Sequence, residues 1–440
     1  MSNEVVVQGT ISIRQLCLFM CPARFIPIVF PSALVSVVSC SKLLGQAAVE
    51  TGRRLALVGG TIYVSADAEP IANGVVLVQD GKILAVGRKA SLPVPPTFQS
   101  IDCSGRTITA GFWNSHVHFF ERKWAKAAEI PAAELARQLE DMFTRYGFTS
   151  VFDLGSTWEN TLDIRKRIES GEVPGPRIRS TGEVLIAPGA MPANNILAIL
   201  GDMPLQNLEV TSAREAEAAA KRQVERGLDG IKIHMQPPPL PKAPFPRDGI
   251  AAAVGPAHEL NKPVFIHPDS AEDVKAAIQA GVDVIAHTTP KTGAWDASIT
   301  AGIRDRKVAL TPTLTMWEVS MRHDRVSAQE KFTAVAVGQL RTWVAAGGTV
   351  LFGTDIGAIE YHPDEEYALM SRAGMNFRQI LASLTTAPAA HFGDSGRLGR
   401  IAVGSEADLV VLTGDPSRDV KGLAGVLYTL RGGKVIYHSD

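Results

Sequence analysis

The sequence of 440 residues predicts an α/β protein, namely a (β/α)8 TIM-like barrel with a small β-sandwich domain built from its N- and C-terminal segments. Two patterns predict this fold. Short strand-like runs with tight turns occupy both ends of the chain, and strand-like runs alternate with helical patterns between them. The alternating units number eight, which is the number that closes such a barrel. A doubly wound sheet is the alternative, but no Gly-x-Gly-x-x-Gly turn follows an early strand.

The composition sets broad limits on function. Hydrophobic residues make up 45% of the chain, which is ordinary for a globular protein. The formal net charge is −1, and a nucleic-acid partner would require a basic surface, so we expect no nucleic-acid binding. The length exceeds one average domain, and a barrel with a flanking small domain accounts for it.

The first 50 residues differ from the rest. Residues 25–39 carry no charge and follow Arg24, which is typical of the apolar segment of a signal peptide and too short for a comfortable transmembrane helix. Residues 37–40 resemble a bacterial lipobox, in which Cys40 would be the lipidated residue. We therefore expect residues 1–50 to be a leader and the mature protein to be exported, either periplasmic or lipid-anchored, without a membrane span. A disordered extension or a buried strand of a cytoplasmic protein is the alternative.

The two terminal segments, residues 52–107 and 396–440, are expected to form the sandwich domain together. Runs such as 74–78 and 408–412 are strand-like, and Gly-Gly or Asp-Gly pairs stand between neighbouring runs. Because short strands need partners to be stable, each end of the chain is expected to complete the other.

Residues 108–395 are expected to form the barrel. Its predicted strands are 108–118, 149–153, 177–181, 230–234, 263–267, 284–287, 309–313 and 350–355. Helical patterns lie between them, among others at 132–146, 212–226, 271–280 and 328–346.

Five of these strands end in side chains that can bind a metal ion, namely His116, His118, Lys232, His267, His287 and Asp355. The carboxyl ends of barrel strands converge on one mouth, so residues far apart in sequence come together there. His116 and His118 stand two residues apart on a strand and therefore share a face. Lys232 lies in an apolar strand, where an ammonium group must be neutralised, paired or modified. Taken singly, each histidine is more often only hydrogen-bonded and Asp355 more often a helix cap, but the set predicts a metal site.

On these residues the chain resembles the amidohydrolase superfamily of metal-dependent hydrolases, in particular its prolidase-like and imidazolonepropionase-like members. The motifs that carry the resemblance are Thr109-Ala110-Gly111-Phe112 running into His116-x-His118, Lys232, His267, Ala286-His287, Gly353-Thr354-Asp355, and the runs 386–390, 396–401 and 404–410. The resemblance covers about residues 52–440.

The resemblance implies two divalent metal ions, held by His116, His118 and Asp355 and by His267 and His287. Lys232 would be carboxylated by CO₂ to a carbamate that bridges them, and nitrogen and oxygen donors of this kind suit zinc. The implied activity is cleavage of an amide or peptide-like C–N bond by a metal-activated hydroxide, with Asp355 as the catalytic acid and base. The alternative is a mononuclear enzyme with unmodified Lys232 that hydrolyses a cyclic amide or deaminates its substrate.

The substrate contacts are less well defined by the sequence. Relatives often carry a Gly-Gly-His-like turn after the third strand, where this chain has residues 187–192. The run after Lys232 contains six prolines between residues 237 and 246, which predicts a stiff loop at the barrel mouth. Candidate substrate contacts are His234, Met235, Trp317 and Arg322. Arg322 and His323 are a candidate carboxylate-binding pair or a solvated surface pair. Candidate apolar pocket residues, or else residues that only pack the loops, are Met235, Leu240, Phe245, Trp113, Phe119, Phe120 and Trp317.

These expectations make a small-molecule amide or peptide the partner of the protein, and the resemblance also allows a homo-oligomer. Two classes without catalysis compete. A scaffold on the same fold would usually have lost the metal ligands, whereas this chain keeps all six. An exported binding protein for small molecules would not need Asp355 beside a pair of metal ions.

Overall fold

The computed structural model describes residues 54–190, 207–301, 303–322, 324–359 and 362–439. The predicted leader, Cys40 and His323 lie outside the described residues, so the expectations about them stay predictions. Within the described ranges, none of the helices combines the length and apolar character that crossing a bilayer requires.

The described strands are, in chain order, β1 (Arg54–Ile62), β2 (Ile71–Gln79), β3 (Lys82–Arg88), β4 (Gln99–Asp102), β5 (Thr107–Ala110), β6 (Phe112–Val117), β7 (Phe148–Asp153), β8 (Arg177–Ser180), β9 (Leu185–Ile186), β10 (Leu208–Glu209), β11 (Ile231–His234), β12 (Val264–His267), β13 (Val284–Ala286), β14 (Ala309–Thr311), β15 (Thr349–Val350), β16 (Leu409–Leu412), β17 (Val426–Arg431) and β18 (Lys434–His438).

The described α-helices are α1 (Ala132–Met142), α2 (Trp158–Glu169), α3 (Ala213–Glu225), α4 (Arg247–Glu259), α5 (Ala271–Ala280), α6 (Ala297–Thr300), α7 (Ile303–Arg306), α8 (Leu314–Ser320), α9 (Val326–Ala345), α10 (Pro363–Arg372), α11 (Phe377–Leu384) and α12 (Thr386–His391). Short 3-10 helices occur at Arg122–Trp124, Thr144–Tyr146, Pro290–Thr292 and Val420–Ala424.

Strands from both ends of the described chain lie in one eight-stranded sheet. Its order is β18-β17-β16-β5-β1-β2-β3, and β4 pairs with β1 off this path. Strand β5 pairs antiparallel with β16, so the N- and C-terminal segments are hydrogen-bonded to each other. Asp80 and Gly81 both have positive φ, as a two-residue turn between antiparallel strands requires. The two-layer sandwich and the domain boundaries remain predictions.

The middle of the chain forms two parallel sheets of three and seven strands, ordered β6-β7-β8 and β10-β9-β11-β12-β13-β14-β15. Hydrogen bonds join the two sheets, because the Ser115 amide donates to the Phe352 carbonyl at 2.7 Å and the Asp229 amide donates to the Ser180 carbonyl at 2.8 Å. Helices follow most of the strands and bury their apolar faces in one large core. The result is a TIM-barrel-like α/β arrangement.

Helix boundaries follow local chemistry. Helix α5 begins with a capping box, in which the Ser270 side chain accepts from the Asp273 amide while the Asp273 side chain accepts from the Ser270 amide. It ends at Gly281 in the left-handed conformation, which glycine adopts without steric cost. The helix predicted over 132–146 is shorter than expected, because Phe143 leaves helical geometry and a 3-10 turn follows.

The last predicted strand, 350–355, is also shorter than expected. Only Thr349–Val350 pairs as a strand, in β15. From Leu351 onward the backbone turns towards β6, and the Asp355 amide donates to the His116 carbonyl at 2.9 Å. Gly353 permits this approach, because a Cβ there would lie 2.2 Å from Cγ2 of Thr311 and 2.8 Å from Cβ of His116. The turn brings Asp355 beside the first pair of histidines.

Candidate metal centre

The first two histidines of the site meet Asp355 at the end of β6. His116 is fully buried and His118 is nearly so. Oδ1 of Asp355 lies 3.1 Å from Nε2 of His116 and 3.0 Å from Nε2 of His118. Two imidazoles at the end of one strand therefore converge on one carboxylate oxygen of a residue more than 200 positions away in sequence.

The other predicted ligands lie around the same point. Lys232 lies in β11, His267 ends β12 and His287 directly follows β13. The ring centroids of His116 and His287 are 4.6 Å apart, and those of His267 and His287 are 4.5 Å apart. Among the described residues, His116, His287 and Asp355 form a group whose ligand atoms all lie within 4.8 Å of one another. All six predicted ligands line one cavity.

Outer contacts orient two of the histidines. Nδ1 of His118 lies 3.1 Å from the Gly155 carbonyl and donates to it, which directs Nε2 towards Asp355. Nδ1 of His287 contacts the hydroxyl of Thr313. Metal-binding histidines usually hold their second ring nitrogen in this way. The contacts therefore give both imidazoles the orientation that a metal ligand needs.

Two further polar groups support the ligands from behind. Nδ2 of Asn114 donates to the Thr354 hydroxyl at 2.8 Å, and Oδ1 of Asn114 accepts from the Thr354 amide at 3.2 Å. This contact links β6 to the turn that carries Asp355. Glu366 is fully buried and accepts from the amides of Leu314 and Thr315 at 2.9 and 2.8 Å, so it fixes the chain directly after Thr313.

The backbone is strained at three positions of this site. His287, Thr313 and Asp355 have φ values of 77°, 44° and 62°, in the left-handed region that residues other than glycine rarely adopt. Each such residue costs on the order of 1–3 kcal/mol and persists only where its surroundings enforce it, as happens at functional sites.

The electrostatics of the site favour neutral donors and an ionised carboxylate. Burial lowers the pKa of Lys232 to about 7, and its Nζ is buried without a hydrogen-bond partner among the described residues. Burial, with the charge of Lys232, lowers the pKa of His116 to about 3. Burial would raise the pKa of Asp355, but the neighbouring imidazoles of His116 and His118 hold it well below its usual range. Buried imidazoles, a carboxylate and an amine without a partner fit a divalent cation.

His234 differs from the other histidines. Its ring stacks on that of His267, with centroids 3.9 Å apart and an angle of 14° between the planes. Its Nδ1 accepts from the Gln236 amide at 3.2 Å, so in the neutral ring the proton is on Nε2. His234 lines the cavity and therefore offers a hydrogen-bond donor there rather than a metal ligand.

The cavity has a volume of about 350 Å³ and a largely apolar wall. Of the apolar residues expected to line it, Phe120 and Trp317 do. The others do not, because Trp113, Phe119 and Phe245 pack in hydrophobic cores and Leu240 is 93% exposed. The described lining also contains Val184, Ile186, Met316, Met321 and Phe332, and the polar residues Asn207, Gln236, Lys291 and Ser320.

Two of the four predicted substrate contacts, Met235 and Arg322, are not among the described residues that line this cavity. Met235 is buried in the core, because it follows His234 and side chains alternate between the two faces of a strand. Arg322 is exposed after α8, its Nε donates to the Val319 carbonyl at 3.3 Å, and it does not belong to the described lining of the cavity. Lys291, which the sequence reasoning missed, supplies a cation to the lining instead.

Comparison with known proteins places these observations in a family. The model of the amidohydrolase family matches residues 107–436. The ochratoxinase of Aspergillus niger is 23% identical over 425 residues, covering 87% of this chain and 86% of that protein. Its crystal structure matches with a TM-score of 0.70 at 22% identity, covering 89% of this chain and 97% of that one. The structure of a Xaa-Pro dipeptidase with methionine bound in its active site has a TM-score of 0.72 at 22% identity, covering 88% of this chain and 100% of that one.

Proposed function

The chain belongs to the amidohydrolase family and is a hydrolase acting on C–N bonds, and from this premise we propose that it cleaves an amide or peptide-like bond at a binuclear metal centre to which a carboxylated Lys232 would contribute. His116, His118 and Asp355 would hold one divalent ion, and His267 and His287 the second. Zinc is the expected ion, because nitrogen and oxygen donors with open positions suit it, and other divalent ions would also fit.

The state of Lys232 is the observation that carries the proposal. Its side chain is 2% exposed, its Nζ has no hydrogen-bond partner in the described residues, and its pKa is about 7. A large share of the side chain is therefore a free amine at neutral pH. The amine can add CO₂ and release one proton, which gives an anionic carbamate. The carbamate would place two oxygen donors where the buried ammonium has none.

The chain's own residues then account for the chemistry. When bound, divalent ions at this site lower the pKa of water and polarise a carbonyl oxygen. Asp355, which is ionised and in contact with both His116 and His118, would accept the proton of the attacking water and return it to the leaving nitrogen. Nε2 of His234 would donate to the substrate. Trp317 is held by a 2.9 Å hydrogen bond from its Nε1 to the Thr288 hydroxyl and would contact the apolar part of the substrate.

A mononuclear enzyme that hydrolyses a cyclic amide or deaminates its substrate is the second candidate. The ligand atoms of His116, His287 and Asp355 all lie within 4.8 Å of one another. A group this compact can hold a single ion, which favours the mononuclear candidate. In that case Lys232 would stay unmodified.

Metal content decides between the two. We expect about two metal ions per chain when the protein is prepared with zinc and bicarbonate, and a marked loss of metal in Lys232→Ala. One ion in both proteins would overturn the binuclear centre and move the substrate search to cyclic amides and deamination. A metal-loaded protein that hydrolyses no member of a broad amide panel would contradict amide hydrolysis itself.

We further propose the organisation that the sequence suggests. The strands of residues 52–107 and 396–440 would form a β-sandwich domain beside a barrel of residues 108–395, which the shared sheet supports. Residues 1–50 would be an export leader, with Cys40 as the candidate lipidated residue. Mass spectrometry of the native N-terminus tests this, since an intact Met1 contradicts export.

A further inference from the structure

Asp153 is a fully buried carboxylate that the proposed chemistry does not use. It is the last residue of β7, and it is not among the described residues that line the cavity. Ser156 donates to its Oδ1 at 2.6 Å, and Ser180 and Thr161 donate to its Oδ2 at 2.6 and 3.3 Å. These partners in the described part of the chain are neutral hydroxyl groups, whereas an aspartate is seldom fully buried without a partner of opposite charge.

The direction of these hydrogen bonds indicates an ionised carboxylate. The hydroxyl oxygen of Ser156 accepts from the Phe119 amide at 2.8 Å, and the hydroxyl oxygen of Ser180 accepts from the Gly182 amide at 2.9 Å. Each hydroxyl has one proton, which it gives to the carboxylate. Both oxygens of Asp153 therefore act as acceptors, as they do in the charged form.

The positive charge that acts on Asp153 comes from the direction of the metal centre. Burial raises the pKa of Asp153, and the largest effect in the opposite direction is that of positive charge on His118. A cation bound by His118 would favour the ionised carboxylate in the same way. Because buried charges are screened less than exposed ones, such an interaction acts beyond direct contact. The metal centre is therefore where the charge of Asp153 would be balanced.

The turn that follows Asp153 also holds His118 in place. Nδ1 of His118 donates to the Gly155 carbonyl at 3.1 Å, and the amide of the next residue, Phe119, donates to the Ser156 hydroxyl. The turn thus contacts both the ring of His118 and the backbone directly after it. Asp153 anchors this turn through the hydroxyl of Ser156.

We propose that Asp153 is a positioning residue of the metal centre, which holds the turn that orients His118 and whose buried negative charge stabilises the cation that His118 would bind. The inference rests on the proposed metal centre. It adds to that centre a residue that neither binds the ion nor lines the cavity. It also gives a reason for a buried carboxylate whose hydrogen-bond partners are neutral.

Zinc affinity tests the role of the charge without any substrate. The full chain is freed of metal and titrated with zinc in competition with a chromophoric chelator. We expect Asp153→Asn to lower the affinity by about ten- to a hundredfold, as losses of outer contacts do. Asp394→Asn is the matched control, because Asp394 is also buried but pairs with Arg179 below the barrel. Its zinc affinity should stay within about twofold of that of the unaltered protein.

Two hydroxyl variants test the link from Asp153 to His118. Ser156→Ala breaks the contact with the Phe119 amide, so we expect about tenfold weaker zinc binding and shifted visible absorption bands in the cobalt-substituted protein. Thr161→Val removes a hydroxyl from the same carboxylate but on the side of α2, away from this link. It should leave the bands unchanged and the affinity within about twofold. The bands report the orientation of the ligand, which a loss of stability alone does not alter.

The outcomes separate this role from the proposed function. Equal zinc affinity in Asp153→Asn and Asp394→Asn overturns the role of the charge, and equal effects of Ser156→Ala and Thr161→Val with unchanged cobalt bands overturn the positioning. If Asp153→Asn does not fold, the two hydroxyl variants decide. Absence of zinc and cobalt binding in the unaltered protein contradicts the metal centre and this inference with it. Zinc binding that the variants weaken, in a protein that hydrolyses no amide, supports the role of Asp153 and contradicts the proposed hydrolysis.

Discussion

At the carboxyl ends of β12 and β13 lie His267 and His287, and near the opposite ends of the same strands lie His258 and Asp283. We call His267 and His287 the upper pair and His258 and Asp283 the lower pair. In the lower pair, Oδ2 of Asp283 lies 2.8 Å from Nε2 of His258 and accepts a hydrogen bond from the Val264 amide at 2.8 Å. The upper pair belongs to a crowded group of buried imidazoles. Both ends of these strands bring ionisable side chains together. Of the two pairs, only the lower one sets a carboxylate against an imidazole, so that each group is a hydrogen-bond partner of the other.

Other groups show the same contrast. Below the barrel, Arg165 pairs with Asp229 at 2.7 Å and Arg179 pairs with Asp394 at 2.6 Å. At the mouth, the buried Nζ of Lys232 has no hydrogen-bond partner in the described residues, and neighbouring backbone is strained. Most buried polar atoms in native proteins are satisfied, so a cluster that is not indicates a place kept for a ligand. The mouth of the barrel therefore differs from its opposite end less in residue type than in whether the buried polar groups have hydrogen-bond partners.

Removing the carboxylate at the mouth should have the largest effect. We expect Asp355→Asn to lower kcat by about a thousandfold, because the amide neither accepts a proton from water nor neutralises a cation. The measurement is kcat on the best amide substrate, together with a thermal melt to show that the fold persists. Turnover near that of the unaltered protein would remove Asp355 from the mechanism.

Lys232→Met should separate activity from stability. We expect the variant to lose most of its metal and activity, and its metal-free form to be more stable than the unaltered protein by about 1–3 kcal/mol at pH 7. The reason is that a buried polar group without a partner is replaced by an apolar group of similar length. Urea unfolding of both metal-free proteins gives the difference, and a less stable variant would mean that Lys232 has a stabilising partner.

The difference in stability between the unaltered protein and Lys232→Met should depend on pH, because burial lowers the pKa of Lys232. Burial lowers the pKa of Lys232 from 10.5 to about 7, so between these values the unfolded chain holds a proton that the folded chain lacks. The free energy of unfolding of the metal-free protein should therefore rise with pH across this window, relative to Lys232→Met. A difference between the two proteins that stays constant from pH 7 to 10 would show that Lys232 keeps its charge in the folded protein.

The sequence predicted the cluster of candidate metal ligands at the carboxyl ends of the strands better than it predicted the residues around them. His267 and His287 could be assigned because the ends of parallel strands meet in a barrel whatever the distance in sequence. Met235 could have been excluded by strand alternation alone. Lys291 could not be found, because it lies in a short turn whose direction depends on tertiary contacts, and the position of Arg322 after α8 depends on such contacts too. The shortness of β15 depends on how Gly353 packs against β6.

Groups behind the ligands should have intermediate effects. Glu366 holds the amides of Leu314 and Thr315, and the preceding Thr313 contacts His287 through its hydroxyl. We expect Glu366→Gln and Thr313→Val to lower metal affinity by about ten- to a hundredfold, as outer-contact losses do, and Thr313→Ser to restore most of it. Competition with a chelator measures this without catalysis. Glu318→Gln, in the same helix as Leu314 and Thr315, is the control.

Equal metal affinity in Glu366→Gln and Glu318→Gln would show that Glu366 only stabilises α8. The visible spectrum of the cobalt-substituted protein adds a second readout, because a change in the orientation of His287 alters the absorption bands whereas a loss of stability alone does not.

The lower pair provides the smallest effect on activity and the sharpest test of the contrast. Asp283→Asn keeps the shape of the side chain but weakens its contacts with His258 and the Val264 amide. We expect the free energy of unfolding to fall by about 1–3 kcal/mol, because a charged acceptor of two hydrogen bonds is lost, while kcat/KM stays within about twofold. Asp283→Asn should therefore lose stability and keep its activity, whereas Asp355→Asn should lose activity and keep its fold. If Asp283→Asn loses activity as severely as Asp355→Asn while remaining folded, hydrogen-bond satisfaction does not separate the two ends.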